Sequence, residues 1–223
     1  MQRTEILQKV ADKILSLKKN HPIRIGIDGI DGAGKTIFAK SLVDYLKNEK
    51  NNVIYSSIDK FHNPKEIRYQ KGRVSPQGYY QDQFNYKMLI DNLLKPLGPR
   101  GGLEYKEAYF DYITNTNIEC KTKKADKNSV LIFDGVFLCR KEIRNYFDLV
   151  IFIDVDFDIA LSRVLDRQKD KDSLGEEENI RKYYKQKYFA GQELYFKDVN
   201  PKEKADIIID NNDFNNVMLT INT

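Results

Sequence analysis

The 223-residue chain has no tryptophan and only two cysteines, two histidines and three methionines. Cys120 and Cys139 have neither metal-ligand spacing nor a disulfide framework around them, which excludes a disulfide-stapled scaffold and fits a reducing cytoplasm. No apolar run approaches the roughly 18–20 residues that a membrane-spanning helix needs, so no membrane partner is expected. The opening Met1-Gln2-Arg3-Thr4-Glu5 leads into no continuous hydrophobic stretch, which argues against a secretory signal. A strong charge of one sign is missing too. The 37 basic residues face 33 acidic ones, and the lysines are spread along the chain rather than massed in the stripe typical of nucleic-acid binders. The net charge of +4 can still help to draw in a polyanionic small ligand. What is present, 41% hydrophobic and 31% charged residues, is enough for a core and a solvated surface, and excludes disorder and collagen.

The hydrophobic pattern alternates between helical and strand periods, as in an α/β domain. Ile6, Leu7, Val10, Ile14 and Leu17 recur at helical spacing, and residues 35–47 repeat the pattern through Phe38, Leu42, Val43 and Leu46. Residues 84–94 read as a further helix. Residues 23–28, 53–57, 129–134, 149–154 and 205–210 read as five strands. Two of these, 129–134 and 149–154, are continuous apolar runs that end in aspartate, the mark of strands buried on both faces of a parallel sheet. Residues 63–124 fit the alternation poorly and read as an insertion able to carry substrate contacts. Residues 156–197 form a long charged helical stretch interrupted near 172–175. No linker divides the chain, so one domain spanning 1–223 is expected.

The strongest chemical signal is Gly29-Ile30-Asp31-Gly32-Ala33-Gly34-Lys35-Thr36, which matches G-x-x-x-x-G-K-[ST] without exception. The glycines permit backbone angles and a close approach that a side chain would block. Successive N–H groups can then converge on phosphate oxygens at a helix N-terminus. Lys35 supplies a point charge for the β- and γ-phosphates, and Thr36 offers a hydroxyl to Mg²⁺. The loop follows an apolar strand and precedes an amphipathic helix, the context that this motif requires. The prediction is a three-layer α/β P-loop NTPase fold with a five-stranded, mostly parallel sheet and a helical lid. ATP or GTP would be the nucleotide.

A P-loop does not name the acceptor. Asp59 follows the second strand, at the carboxyl edge where ligands of such sheets bind, and can accept a hydroxyl proton or simply cap the next turn. Asp134 closes its strand as the Walker B carboxylate that helps to hold hydrated Mg²⁺. Asp154 ends the next strand similarly and is read as structural. His62 is either a substrate contact or a surface histidine, and His21 has no expected chemical role. Tyr79, Tyr80 and Tyr112 can stack a base or sugar, or simply fill the core.

These features together resemble the uridine kinase-like branch of the P-loop kinases, which also includes the phosphoribulokinases. The resemblance covers residues 23–211. It rests on the P-loop with its leading Ile25-Gly26-Ile27-Asp28, on Asp59-Lys60-Phe61-His62, on residues 75–84, on Phe110-Asp111-Tyr112 and on Phe133-Asp134-Gly135. Arg163, Arg167, residues 188–195 and residues 205–211 extend it. It implies phosphorylation of a hydroxyl on a nucleoside-like acceptor, with Asp59 at the position of the catalytic base. It also places Asp82, Phe84, Phe110 and Asp111 in segments that shape the acceptor pocket. Three departures bear on that acceptor: Asp134-Gly135 stands for glutamate-glycine, Gly78-Tyr79-Tyr80-Gln81 lacks the histidine-bearing motif, and Asn115 stands where a base-reading histidine is expected.

Arg163 and Arg167 are four residues apart, on one face if the helix is continuous. A lid carrying them over about 163–195 would place charge over the transferring phosphoryl group and exclude water. Arg181, Lys187 and Tyr188 lie further along the same segment. Other small alcohols (pantothenate, a sugar, a sugar phosphate) remain open as acceptors, and a nucleotide-driven ATPase or switch is the reading of a different class. A small-molecule substrate is the expected partner, and the sequence is compatible with a homo-oligomer.

Overall fold

Strands that are apolar at every position are stable only between two covering layers, and two such strands set the frame. The computed structural model describes residues 2–222. In chain order it contains α1 (Arg3–Ser16), β1 (Ile23–Gly29), α2 (Lys35–Asn48) and β2 (Val53–Ser57). Then come α3 (Lys65–Arg68), α4 (Pro76–Asp82), α5 (Tyr86–Leu89) and four two-residue strands, β3 (Glu104–Tyr105), β4 (Phe110–Asp111), β5 (Thr116–Asn117) and β6 (Lys123–Lys124). β7 (Val130–Asp134) and β8 (Leu149–Asp154) are followed by α6 (Phe157–Leu165), α7 (Gln168–Leu174), α8 (Glu177–Tyr183), α9 (Ala190–Val199) and α10 (Pro201–Lys204). β9 (Ile207–Asp210) and β10 (Met218–Ile221) close the chain.

The central sheet runs β10-β9-β8-β1-β7-β2, parallel except for the β10–β9 pair. All five expected strands are in it. The sixth, β10, corrects the expected count. It is an antiparallel edge strand with Met218 and Ile221 exposed, so it carries no buried run to announce it. Alternate residues of the inner strands enter opposite cores. Val130, Ile132, Ile151 and Ile153 pack with α1, α2 and α6, whereas Leu131, Phe133, Val150 and Phe152 pack with Tyr79, Leu89 and Tyr195. The result is helix, sheet and helix in three layers.

Residues 63–124 add no strand to this sheet; they supply α3–α5 and two small ladders, β3 with β6 and β4 with β5. The expected interruption near 172–175 falls at Gly175, between α7 and α8, with φ at 79°. Asp154 pairs with Lys202 at 2.6 Å, in keeping with a structural part, and both cysteines are free.

Asp28, in β1 one residue before the P-loop, is wholly buried, and burial pushes its carboxyl above the usual range. Tyr195 of α9 donates to Asp28 Oδ2 at 2.5 Å, and the Gly29 amide donates to Oδ1 at 2.7 Å. The Tyr195 hydroxyl also accepts from the Cys139 amide at 2.9 Å. Tyr195→Phe removes the shorter hydrogen bond to Asp28 Oδ2 and leaves only the Cys139 amide at 3.3 Å, so it should lower stability by about 1.5–3 kcal/mol, read from the urea midpoint. An unmoved midpoint would mean that Asp28 is satisfied without that hydroxyl.

Candidate active site

β1 ends where residues 30–34 turn across the carboxyl edge of the sheet into α2. Gly34 is the N-cap of α2, left-handed at φ 93°, ψ 12°, and no side chain caps the helix. Its first N–H groups therefore remain open to an anion. Gly32 has φ 90°, and a Cβ there would lie 2.6 Å from the Ala160 carbonyl oxygen of α6. Gly32→Ala should thus cost about 1–3 kcal/mol in chemical denaturation, from left-handed strain and the displaced carbonyl together. Wild-type stability in that variant would show that the loop yields freely.

Lys35 is 9% exposed and donates to the Ile30 carbonyl at 2.7 Å, folding its ammonium back over the loop. Strand register brings Asp134 of β7 level with Ile27 and Ser57. Thr36 Oγ1 donates to Asp134 Oδ2 at 2.6 Å, and the Tyr55 hydroxyl donates to Oδ1 at 2.9 Å. Burial and the adjacent carboxylate keep the Tyr55 phenol protonated far above its ordinary range. Hydroxyl and carboxylate oxygens are the ligands that a hard, hydrated divalent cation prefers.

Asp59 faces this loop from the 3₁₀ turn Ile58–Lys60, which follows β2 and takes Ser57 as its cap. The Asp59 carbonyl lies 2.8 Å from His62 Nδ1. His62 is buried between Phe84 and Tyr112, with ring centroids 4.8 and 4.6 Å away. Asp31, Gly32, Gly34, Lys35, Thr36, Asp59, His62, Phe84, Asp134 and Arg167 all line one cleft of about 650 Å³. Tyr79 and Tyr112 line it as well. The carboxylate of Asp31 is engaged there by the Tyr79 hydroxyl at 2.6 Å and by Gln192 at 2.8 Å.

Other sequence candidates lie elsewhere, and each has a physical reason. Arg163 is not in the cleft lining: its Nη2 donates to the carbonyls of Asn211 and Asn212 at 2.7 and 3.1 Å, over the Phe214 ring. Tyr80 turns into the core and donates to Asp198 at 2.5 Å. Asp82 pairs with Lys71 at 2.7 Å. Phe110 is buried, and Asp111 accepts from the Ile113 amide at 2.9 Å, capping the turn between β4 and β5. Gly29 and Ala33 serve the loop through their backbone; the Ala33 carbonyl accepts from Asn211 at 2.9 Å. Asn115 is spent on the Lys65 amide, 2.8 Å away at the start of α3.

The cleft also gathers residues that the sequence reading passed over, among them Arg68, Tyr69, Arg73, Gln83, Asp170 and Tyr183. Lys187, already named on the lid segment, lies in the cleft too, at 2% exposure. Burial, followed by the nearby charges of Arg68 and Arg73, brings its pKa down to about 8.

The model of the Phosphoribulokinase / Uridine kinase family matches residues 24–218. The chain belongs to that family. It is 27% identical over 190 residues to a uridine kinase of Leuconostoc citreum, covering 84% of this chain and 87% of that one. A uridine kinase of Lactobacillus johnsonii is 24% identical over 212 residues, with 93% and 95% covered. In fold the chain is similar to a possible uridine kinase from Bacillus stearothermophilus, with a TM-score of 0.71 at 22% identity over 93% of this chain and 99% of that one. As a member of the phosphoribulokinase and uridine kinase family, the protein is a phosphotransferase acting on a hydroxyl-bearing acceptor. Among the described residues, no helix is long and apolar enough to cross a membrane.

Proposed function

We propose that the protein transfers the γ-phosphoryl group of ATP to a hydroxyl of a nucleoside-like acceptor, within the cytoplasm. The observation that carries this reading is that Asp59 shares one cleft with Lys35, Thr36 and Asp134. The open N-terminus of α2 and the loop amides receive the phosphates, and Lys35 turns from the Ile30 carbonyl to the β- and γ-oxygens. Thr36, and Asp134 through water, would hold Mg²⁺, which supplies charge neutralisation between the phosphates when bound. Asp59 accepts the proton of the attacking hydroxyl and orients its oxygen. Arg167 adds positive charge where the transferring group is most negative. His62, Phe84 and Tyr112 wall the acceptor side with aromatic surface. Curated uridine kinases at 24–27% identity across most of the chain support a nucleoside-like acceptor.

The test is ADP release with ATP and Mg²⁺ across a panel of nucleosides and polyols. A nucleoside should raise ADP release well above the acceptor-free rate. Equal release with and without every acceptor would replace the kinase reading with that of an ATPase.

A further inference from the structure

Among the described residues, five basic side chains reach the cleft: Lys35, Arg68, Arg73, Arg167 and Lys187. Lys35 belongs to the P-loop and Arg167 to the helices after β8. The remaining three form a group of their own, assembled around two tyrosines. The Arg68 guanidinium and the Lys187 ammonium each lie 5.1 Å from the centre of the Tyr69 ring. The Tyr183 hydroxyl lies 3.1 Å from Lys187 Nζ, and the charge of Arg73 bears on the same phenol. Arg68 is 5% exposed and Lys187 2%.

Among the described residues, none of these three cations is in an ion pair. Arg68 Nε is buried without any hydrogen-bond partner. Asp31, the carboxylate that bears on Lys187, forms no ion pair with it and accepts from Tyr79 and Gln192 through Oδ2. Gathering like charges, two of them buried and none in an ion pair, is unfavourable, and burial with the nearby Arg68 and Arg73 lowers the pKa of Lys187 accordingly. Such a site is completed by an anion that visits it.

The group adjoins the acceptor side of the cleft. Arg68 Nη2 donates to the Tyr112 carbonyl at 3.4 Å, Tyr112 stacks on His62, and His62 Nδ1 lies against the Asp59 carbonyl. We propose that Arg68, Arg73 and Lys187 form an anion subsite, so that the alcohol phosphorylated here carries a carboxylate or phosphate of its own. The proposal rests on the kinase reading and narrows its acceptor: a neutral nucleoside leaves three cations unmatched, whereas a nucleoside-like or sugar-like acid satisfies them.

Matched pairs test it on the full chain: uridine against orotidine, glycerol against glycerate, and ribose against ribose 5-phosphate. The last pair separates phosphate from the carboxylates of the first two. Phosphoryl transfer is measured with ATP, and binding by calorimetry in the presence of an unreactive ATP analogue. At least one anionic member should be favoured over its neutral partner by about 10- to 100-fold, the range set by charge-assisted hydrogen bonds. Lys187→Met and Arg68→Gln should each collapse that ratio by raising KM for the anionic member. Lys187→Met should also raise Tm, because it removes an unmatched buried charge. Equal use and equal binding within every pair would overturn the proposal. So would variants that weaken ATP binding instead, since the cations would then serve the donor phosphates. If no acceptor turns over but an anionic member binds more tightly through Lys187, the anion subsite stands and the kinase reading falls. If neither member of any pair binds, the subsite is refuted.

Discussion

Asp59→Asn should lower kcat by about 10²- to 10⁴-fold, the usual contribution of a positioned general base. At 1.36 kcal/mol per tenfold, that corresponds to about 3–5 kcal/mol of barrier. The substitution keeps shape and polarity and removes only the capacity to take a proton. Its surroundings favour a clean result. The Asp59 amide is held by Ser57, and the Asp59 carbonyl lies against His62 Nδ1, both through backbone atoms that asparagine retains. The turn should therefore persist. ATP affinity, measured with an unreactive analogue, should stay within a few-fold of wild type because Asp59 lies across the cleft from the loop that grips phosphate. A fall in kcat with ATP binding preserved separates a proton acceptor from a group that merely shapes the cleft. Near-normal turnover would remove Asp59 from that role and leave alignment and charge as the source of acceleration.

Which parts of this site were legible follows from the range of the forces that build each part. The phosphate loop is local: its glycines, lysine and threonine lie within eight consecutive residues, and the strand before and helix after are set by short-range pattern. Asp59 and Asp134 were legible as candidates because one follows β2 and the other closes β7, and parallel strands bring their carboxyl ends to one edge. Arg163 and Arg167 show where spacing misleads. Four residues apart, they share a face only in an unbroken helix. α6 ends at Leu165 and Arg167 is the extended N-cap of α7, with ψ at 124°, so the two point to different places. Tyr79 and Tyr80 diverge for a simpler reason. Neighbours on α4 point about 100° apart, so one reaches the loop at Asp31 while the other enters the core. The Arg68–Lys187 group had no local signature at all. Lys187 is more than a hundred residues from Arg68 and Arg73, and it meets Arg68 only because tertiary packing puts Tyr69 between them. β10 was hidden by its position at an edge, where one partner and partial burial demand little of sequence.

Lys35→Ala should act on both binding and turnover, and so differ in kind from Asp59→Asn. Lys35 is the one cation within the phosphate loop, and its ammonium already lies against the loop at the Ile30 carbonyl. Removing it deletes a point charge aimed at the β- and γ-oxygens and also a tether that holds residues 30–35 in a turn. Loss of one preorganised charge of this kind costs about 10²- to 10³-fold in kcat. The ATP dissociation constant should rise as well, because the same ammonium meets the phosphates before the reaction. Lys35→Arg tests whether charge alone suffices. Arginine keeps the charge but replaces a compact ammonium with a broad planar fork, in a site that leaves Lys35 only 9% exposed. It should restore little of either constant. Full recovery by arginine would show that the loop needs only a positive charge in the neighbourhood. Unaltered kinetics in Lys35→Ala would remove the triphosphate from this loop altogether.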